Sequence, residues 1–153
     1  MNITFKPVDE GDIEFLYNLF SERTKYPEEI RFEKKDIPLY EEHTAFVERF
    51  LKRDHEYQSW YIILYDNEKV GSLVLKKDGE WGYHVLMKHW GKMIGQTALD
   101  WLIKQHPDKT LIANIKVENK KAQHIAEKFG HVLVSYTYRR EPTNTTKDIP
   151  NKE

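Results

Sequence analysis

Apolar and polar positions change their period along the first residues of the chain. Ile3 and Phe5 alternate with polar neighbours, which predicts a short strand over 2–7. Apolar residues then recur at intervals of three and four, and these are Ile13, Leu16, Tyr17 and Phe20. This spacing predicts a helix over 10–23, which Asp9 caps at its start.

A second helix and three strands follow. The helix begins after Pro38 and extends to about residue 53, with most of its apolar side chains on one side. Runs rich in β-branched and aromatic residues predict strands over 60–65, 69–77 and 80–87. Turn signals at 66–67 (Asp-Asn) and 78–79 (Asp-Gly) separate these runs. The three strands are therefore predicted to form an antiparallel meander.

The period changes again after the meander. Helical spacing predicts a helix over 94–106, which Pro107 ends. A strand over 111–116 precedes a helix that begins after Asn119 and ends at Gly130, and 132–140 is a last strand. The predicted order is β-α-α-β-β-β-α-β-α-β, an α/β fold with a mixed sheet. We expect one domain over 1–140 and a polar, flexible tail over 141–153.

Composition narrows the class of protein. A chain of 153 residues with 39% hydrophobic and 32% charged residues has the size and balance of one globular domain. The net charge of −1 argues against binding duplex DNA by phosphate neutralisation. The chain has no cysteine, which excludes disulfides, thiolate zinc sites and a cysteine nucleophile. No apolar run approaches the roughly 20 residues of a membrane span, and the start lacks the pattern of a signal peptide, so we expect a cytoplasmic protein.

The junction of the fourth strand and the third helix is the first candidate site. Gly91 and Gly95 lie four residues apart there, and Lys92 adds a cation. Glycine lets a ligand approach the backbone, and free N–H groups at the start of a helix bind anions. The pattern therefore suggests a phosphate-binding turn. Spacing alone favours the simpler alternative, a turn that needs two small residues.

A second stretch of the sequence, around Asn119 and 126–130, is the other candidate for part of the site. Asn119 and Ala122 follow the predicted strand 111–116, and Ala-Glu-Lys-Phe-Gly occupies 126–130. The two stretches, in this order and spacing, resemble the GCN5-related N-acetyltransferases (GNAT superfamily). They are most similar to the branch that acetylates ribosomal-protein N-termini and amino sugars. The resemblance covers about 2–140 and implies a GNAT-like acyl-CoA N-acyltransferase fold.

The resemblance also implies a cosubstrate, acetyl-CoA, and no metal. Backbone N–H groups of the turn would hold the pyrophosphate of coenzyme A; the turn residues are Gly91, Lys92, Met93, Ile94, Gly95 and Gln96. The exposed edge of the fourth strand would pair with the pantetheine arm through Tyr83, His84 and Val85. Asn119 would donate a hydrogen bond to the pantetheine or to a water beside it.

Several positions depart from the family pattern. Trp90 stands where Arg or Gln is usual, and Met93 stands where the first family glycine is usual. A positive φ at Met93 would be strained. Ala126 and Asn114 occupy the positions of the family's usual acid and base, so neither role carries over, and His131 replaces a phenylalanine.

Glu80 and His84 on the fourth strand remain as candidates for the proton chemistry. The ordinary pKa of histidine, about 6.5, suits a base that deprotonates the attacking amine. A backbone N–H near Val85 or Leu86 would stabilise the oxyanion. The simpler interpretations are a solvated glutamate in a hairpin and a packed histidine. Tyr136 and Tyr138 are weaker candidates for a proton donor.

Three functions are weighed on this basis. The first is an N-acetyltransferase that moves an acetyl group from acetyl-CoA to a primary amine of a small molecule or peptide. The charged loop 24–36 would face that amine, or it would simply be solvated. The second is a catalytically degenerate coenzyme A-binding or regulatory module. The third, a nucleic-acid-associated protein, has the aromatic residues and the basic run of 116–128 in its favour. An uncovered sheet edge after the last strand would suit a homodimer.

Overall fold

The structure, a computed structural model, describes residues 2–143. Four strands form one antiparallel sheet in chain order: β1 (Ile3–Pro7), β2 (Tyr57–Tyr65), β3 (Glu68–Lys76) and β4 (Trp81–Val85). Four helices accompany it: α1 (Ile13–Ser21), α2 (Tyr40–Leu51), α3 (Ile94–Gln105) and α4 (Lys120–Lys128). The mixed α/β fold and the antiparallel meander are confirmed. Short 3-10 turns at Glu10–Asp12 and Glu22–Lys25 extend α1 at both ends.

Alternation along the strands places one core on each face of the sheet. Helices α1 and α2 pack on one face, around Val8, Leu16, Val47, Phe50, Trp60 and Ile62. Helix α3 packs on the other face through Ile94, Ala98 and Leu102, against a set of strand residues that includes Leu73, Leu75 and Val85. Because successive side chains of a strand point to opposite faces, His84 lies on the α1 and α2 face while its neighbours Tyr83 and Val85 face α3.

Local turn chemistry agrees with the structure at four predicted places. Asp66 and Asn67 have φ of 49° and 69°, the left-handed pair of a tight hairpin turn. Gly79 has φ of 99° and leaves no room for a Cβ beside the Thr110 carbonyl. Asn119 caps α4 by accepting from the Ala122 N–H at 3.1 Å. Gly130 ends that helix with φ of 90°.

The two strands predicted after α3 do not form as strands in the described residues. The predicted strand 111–116 reduces to one parallel bridge between Glu80 and Ile112. Two hydrogen bonds hold it, from Trp81 N–H to the Ile112 carbonyl at 3.0 Å and from Ile112 N–H to the Gly79 carbonyl at 2.9 Å. Beyond Ile112 the segment leaves β4. The fourth strand is also shorter than predicted, because Met87–His89 forms a 3-10 turn.

The predicted last strand, 132–140, has strand-like residues but no strand partner within 2–143. Its apolar side chains are exposed, and they are Val132, Leu133, Val134, Tyr136 and Tyr138. The residue pattern indicates strand propensity, whereas a strand needs a second backbone to pair with. A partner subunit that covers this edge stays a prediction. Most of the predicted tail lies outside the described residues.

A buried carboxylate ties β1 to the start of α1. The Asp12 side chain is 1% exposed and forms ion pairs with Lys6 at 2.6 Å and Lys69 at 2.7 Å. It also accepts from the Asp9 N–H at 2.9 Å, completing the predicted cap. Across residues 2–143, no helix has both the length and the apolar character to cross a membrane.

Candidate functional site

Two cavities meet at β4. The sheet-face cavity, of about 660 Å³, lies between the sheet and helices α1 and α2. The edge cavity, of about 500 Å³, lies between β4, the start of α3 and the segment 113–122. Five residues line both cavities, and they are Arg23, Trp81, Gly82, Tyr83 and His84. The two spaces therefore adjoin along β4.

The outer edge of β4 offers unpaired backbone groups to the edge cavity. Trp81 N–H points outward, to the Ile112 carbonyl. Since backbone groups alternate along a strand, the Tyr83 N–H and C=O and the Val85 N–H also point outward. No backbone group within residues 2–143 pairs with them there. The Leu86 N–H donates to the Val70 carbonyl at 2.9 Å. Val85 therefore supplies the free amide, and the alternative donor, Leu86, does not.

The turn before α3 presents a second set of free N–H groups. The first helical hydrogen bond runs from Thr97 N–H to the Met93 carbonyl at 3.0 Å. The N–H groups of Ile94, Gly95 and Gln96 precede it, and the residue at the N-cap, Met93, makes no side-chain cap. These three amides lie at the positive end of the helix dipole. They lie at one end of the edge cavity, and free N–H groups at a helix start can bind an anion.

Met93 has a left-handed backbone conformation, which is strained for a residue other than glycine. Its φ is 59° and its ψ is 23°, and its side chain is exposed. A non-glycine residue in this region costs about 1–2 kcal/mol. The backbone thus adopts at Met93 a conformation that glycine takes without cost.

We expect Met93→Gly to stabilise the protein by about 0.5–1 kcal/mol, since relief of the left-handed cost exceeds the entropy that glycine loses. Thermal unfolding should show Tm rising by about 2 °C. Arg53→Gly is a matched control, because Arg53 is exposed, follows α2 rather than lying in this turn, and also has a positive φ, of 64°. A lower Tm for Met93→Gly would show that the methionine side chain contributes packing that outweighs the strain.

The two glycines of the turn serve different purposes. A Cβ on Gly95 would overlap the Tyr83 ring, so Gly95 lets α3 pack against β4. Gly91 has φ of 85° and open space around it, so its conformation requires glycine. The small residues shape the turn, as the simpler interpretation expects, and the turn leaves N–H groups free; phosphate binding by these groups stays a prediction.

Three of the predicted cofactor contacts have structural partners of their own. The Lys92 ammonium lies 3.0 Å from His89 Nδ1 and over the Tyr65 ring, and it does not line the edge cavity. Gln96 Oε1 accepts from the Lys128 ammonium at 2.9 Å, which joins α3 to α4. The Asn119 oxygen is occupied as the α4 cap, and the residue still lines the edge cavity. Gln96 also lines that cavity, and so do the other predicted cofactor residues: Tyr83, His84, Val85, Gly91, Met93, Ile94 and Gly95.

His84 lies at the junction of the two cavities, in an apolar environment. Its ring faces Phe20 at 6.3 Å between centroids, and its Nε2 is buried without a hydrogen-bond partner in the described structure. Burial and the nearby charge of Arg23 lower the pKa of His84 to about 3. The imidazole is therefore neutral near pH 7 and a weak base.

Glu80, the other predicted catalytic residue, lines the sheet-face cavity. Its carboxylate is partly exposed and lies 3.4 Å from the Lys76 ammonium. The structure therefore brings Glu80 and His84 to the same cavity, and it brings His84 alone to the edge cavity.

Sequence reasoning missed four side chains that shape the site. Arg23 lines both cavities. The Trp90 indole N–H donates to the Val85 carbonyl at 2.8 Å, and Trp81 Nε1 donates to His131 Nε2 at 3.0 Å. Glu22 accepts from the Met87 N–H at 3.1 Å. None of these contacts has a sequence signal, except that Trp90 and His131 stand where the family pattern has other residues.

Comparisons with known proteins concern the family and the fold. A family model described as the acetyltransferase (GNAT) domain matches residues 2–132. Comparison with curated proteins finds no match.

Solved structures share the fold. RimL, the ribosomal L7/L12 alpha-N-protein acetyltransferase in complex with coenzyme A, has a TM-score of 0.75 and 17% identity, covering 94% of this chain and 88% of that one. YncA, a putative acetyltransferase from Salmonella typhimurium with its cofactor acetyl-CoA, has a TM-score of 0.64 and 17% identity, covering 85% and 79%. The spermidine/spermine N-acetyltransferase SpeG from Vibrio cholerae has a TM-score of 0.64 and 20% identity, covering 85% and 79%.

Proposed function

We propose that this chain, which belongs to the GNAT acetyltransferase family, transfers an acetyl group from acetyl-CoA to a primary amine of a small molecule or peptide. One observation carries the proposal. The edge cavity, with its anion-binding helix start, adjoins the sheet-face cavity along β4. An acetyl donor in the edge cavity and an amine in the sheet-face cavity would meet along β4.

The edge cavity suits the parts of acetyl-CoA. The pyrophosphate would lie at the N–H groups of Ile94, Gly95 and Gln96, where the helix dipole favours an anion. The pantetheine arm carries amide groups, and the outward Tyr83 N–H and C=O would pair with them as a neighbouring strand does. Two structural neighbours are described with coenzyme A or acetyl-CoA, which supports the same ligand here.

The reaction joins an amine nitrogen to the acetyl carbon. The neutral amine attacks the thioester carbonyl, and its negative oxygen is stabilised by the Val85 N–H. The C–S bond then breaks, the acetamide forms, and the departing thiolate takes up one proton. The ammonium form of the acceptor must first lose a proton, and Glu80 is our candidate acceptor, directly or through water. His84 is a neutral wall of the junction and positions the reactants.

We expect the pH dependence to separate these two residues. Because the pKa of His84 is about 3, its imidazole stays neutral at all higher pH values and adds no inflection to kcat/KM between about pH 5 and pH 8. His84→Gln should keep the wild-type pH profile, whereas Glu80→Gln should lower kcat by about a hundredfold. An inflection near pH 6.5 that vanishes in His84→Gln would reinstate His84 as the base.

A panel of amines tests the proposed function directly. The acceptors of relatives span a ribosomal protein N-terminus and polyamines, so the panel includes peptides, amino sugars, amino acids and spermidine. Release of coenzyme A can be followed with a thiol reagent, because the protein has no cysteine to react. Acetylated product confirmed by mass would support the proposal. Coenzyme A binding without turnover of any amine would favour the non-catalytic module instead.

A further inference from the structure

Arg23 is a charged residue at the junction that the mechanism above does not use. It lies in the 3-10 turn that ends α1. Its guanidinium carbon is 4.1 Å from the Phe32 ring centre and 5.5 Å from that of Phe20. It lines both cavities, and its charge acts on His84 across the junction. The two rings hold the guanidinium in place without neutralising it.

The charge of Arg23 has no anionic partner among residues 2–143. None of the ion pairs there includes it. Its Nε is buried and makes no hydrogen bond within the described part of the chain. Burial lowers the pKa of Arg23 to about 10, so the guanidinium is still charged at neutral pH. A desolvated cation without a partner is costly, and an anionic ligand would remove that cost.

The other charges of the sheet-face cavity do not supply the missing anion. The cavity has two carboxylates, Glu42 and Glu80. Glu80 is paired with Lys76, and Glu42 accepts from the Leu39 N–H at 3.2 Å. Glu28, Glu33 and Asp36 of the loop 24–36 line neither cavity. The loop lines the edge cavity instead, through Tyr26, Ile30 and Phe32. The sheet-face cavity therefore presents the positive charge of Arg23, whereas a cavity that binds polyamines would need an acidic surface.

The position of Arg23 limits which anion it can bind. It is shared by both cavities, as are the β4 residues where the amine and the thioester would meet. We therefore place a bound anion within a few bonds of the reacting nitrogen. An α-carboxylate satisfies this, because only one carbon separates it from the amine. A peptide N-terminus has a neutral amide at that place.

We propose that the amine acceptor is a free α-amino acid or a close analogue, and that Arg23 binds its carboxylate. This inference rests on the proposed function, whose site it deepens. The guanidinium fork matches a carboxylate with two parallel hydrogen bonds, and Phe20 and Phe32 hold its plane. Arg23 thus sets the specificity for the acceptor.

Matched acids and amides test the inference. For each amino acid in a broad set, kcat/KM with acetyl-CoA is compared with that of the corresponding amino acid amide. We expect the wild type to favour at least one acid over its amide by at least about thirtyfold. Arg23→Gln should lose this preference, while Lys25→Gln should keep it. Lys25 is an exposed cation of the same turn that lines neither cavity.

Direct binding separates this inference from the proposed function. Amino acids are titrated calorimetrically into protein saturated with desulfo-CoA. Binding to the wild type and not to Arg23→Gln, with no turnover, would support the carboxylate site and reject catalysis. Equal turnover of acids and amides would overturn the carboxylate site and leave catalysis standing. The inference is also overturned by three other results: neither binding nor turnover of any amino acid, equal loss for acids and amides in Arg23→Gln, or an Arg23-dependent preference for succinyl-CoA over acetyl-CoA.

Discussion

Gly95→Trp is expected to lower the affinity for coenzyme A by at least about a hundredfold, which corresponds to about 2.8 kcal/mol. Gly95 is the second residue of α3, between the free N–H groups of Ile94 and Gln96. An indole at this position would occupy the end of the edge cavity where the pyrophosphate is proposed to lie. The affinity falls because the indole keeps the phosphates away from the backbone N–H groups at the start of α3. Calorimetric titration of folded variant protein with coenzyme A measures it.

Two further variants show why the affinity falls. Because any Cβ on Gly95 overlaps the Tyr83 ring, Gly95→Trp is repeated in a Tyr83→Ala background, which removes the overlap. Tyr83→Ala alone should retain measurable binding, since the backbone of Tyr83 makes the proposed contacts, and the double variant should not bind. Lys104→Trp adds an indole at an exposed site of the same helix and should bind as the wild type does. Wild-type affinity in folded Gly95→Trp would remove the phosphate assignment.

Asp12→Ala is expected to destabilise the protein by about 2–4 kcal/mol. The buried carboxylate is bound by Lys6, Lys69 and the Asp9 N–H, so its removal leaves two ammonium groups and an amide without their partner. Both lysines are partly exposed and regain water, which places the effect at the lower part of the range for buried pairs. Urea unfolding followed by circular dichroism measures the change.

An exposed neighbour provides the comparison for Asp12. Asp9 also pairs with Lys6, at 3.0 Å, but its side chain is 66% exposed. Asp9→Ala should cost about 1 kcal/mol, mostly through the lost cap. Equal effects of the two substitutions would contradict the importance of burial.

The same carboxylate makes the stability depend on acid. Burial raises the pKa of Asp12, but hydrogen bonds from Lys6 and Lys69 outweigh it and hold the pKa below the ordinary 3.8. Because the native pKa is below the unfolded one, the ionised carboxylate stabilises the fold above the unfolded value, and this stabilisation is lost as the pH falls through the native pKa. The wild type should therefore lose more unfolding free energy than Asp12→Ala as the pH falls below about 4.

Local signals account for the parts of the fold that the sequence predicts well. The turn at Asp66 and Asn67, the cap at Asn119 and the stop at Gly130 depend on a few adjacent residues, and each occurs where the pattern places it. The segment 132–140 has strand-forming residues but no paired backbone in the described structure. Strand formation there depends on a distant partner, and residue propensity does not specify one.

The candidate site divides in the same way. The turn before α3 and its glycines could be predicted because a strand-to-helix junction is a local feature, whereas its phosphate-binding role rests on the family resemblance and stays a prediction. Arg23 could not, since its importance comes from aromatic rings, missing partners and two cavities that only the folded chain brings together. The neutral state of His84 was also beyond the sequence, because burial sets it and a strand residue is buried or exposed according to what packs over it.

Calorimetric titration of the purified protein with acetyl-CoA and with desulfo-CoA tests the central claim most directly. The claim is that the edge cavity holds coenzyme A through backbone groups of β4 and the α3 start. It predicts micromolar binding of both ligands, because neither set of contacts involves the sulfur. Absence of binding to either ligand at millimolar concentration would contradict it.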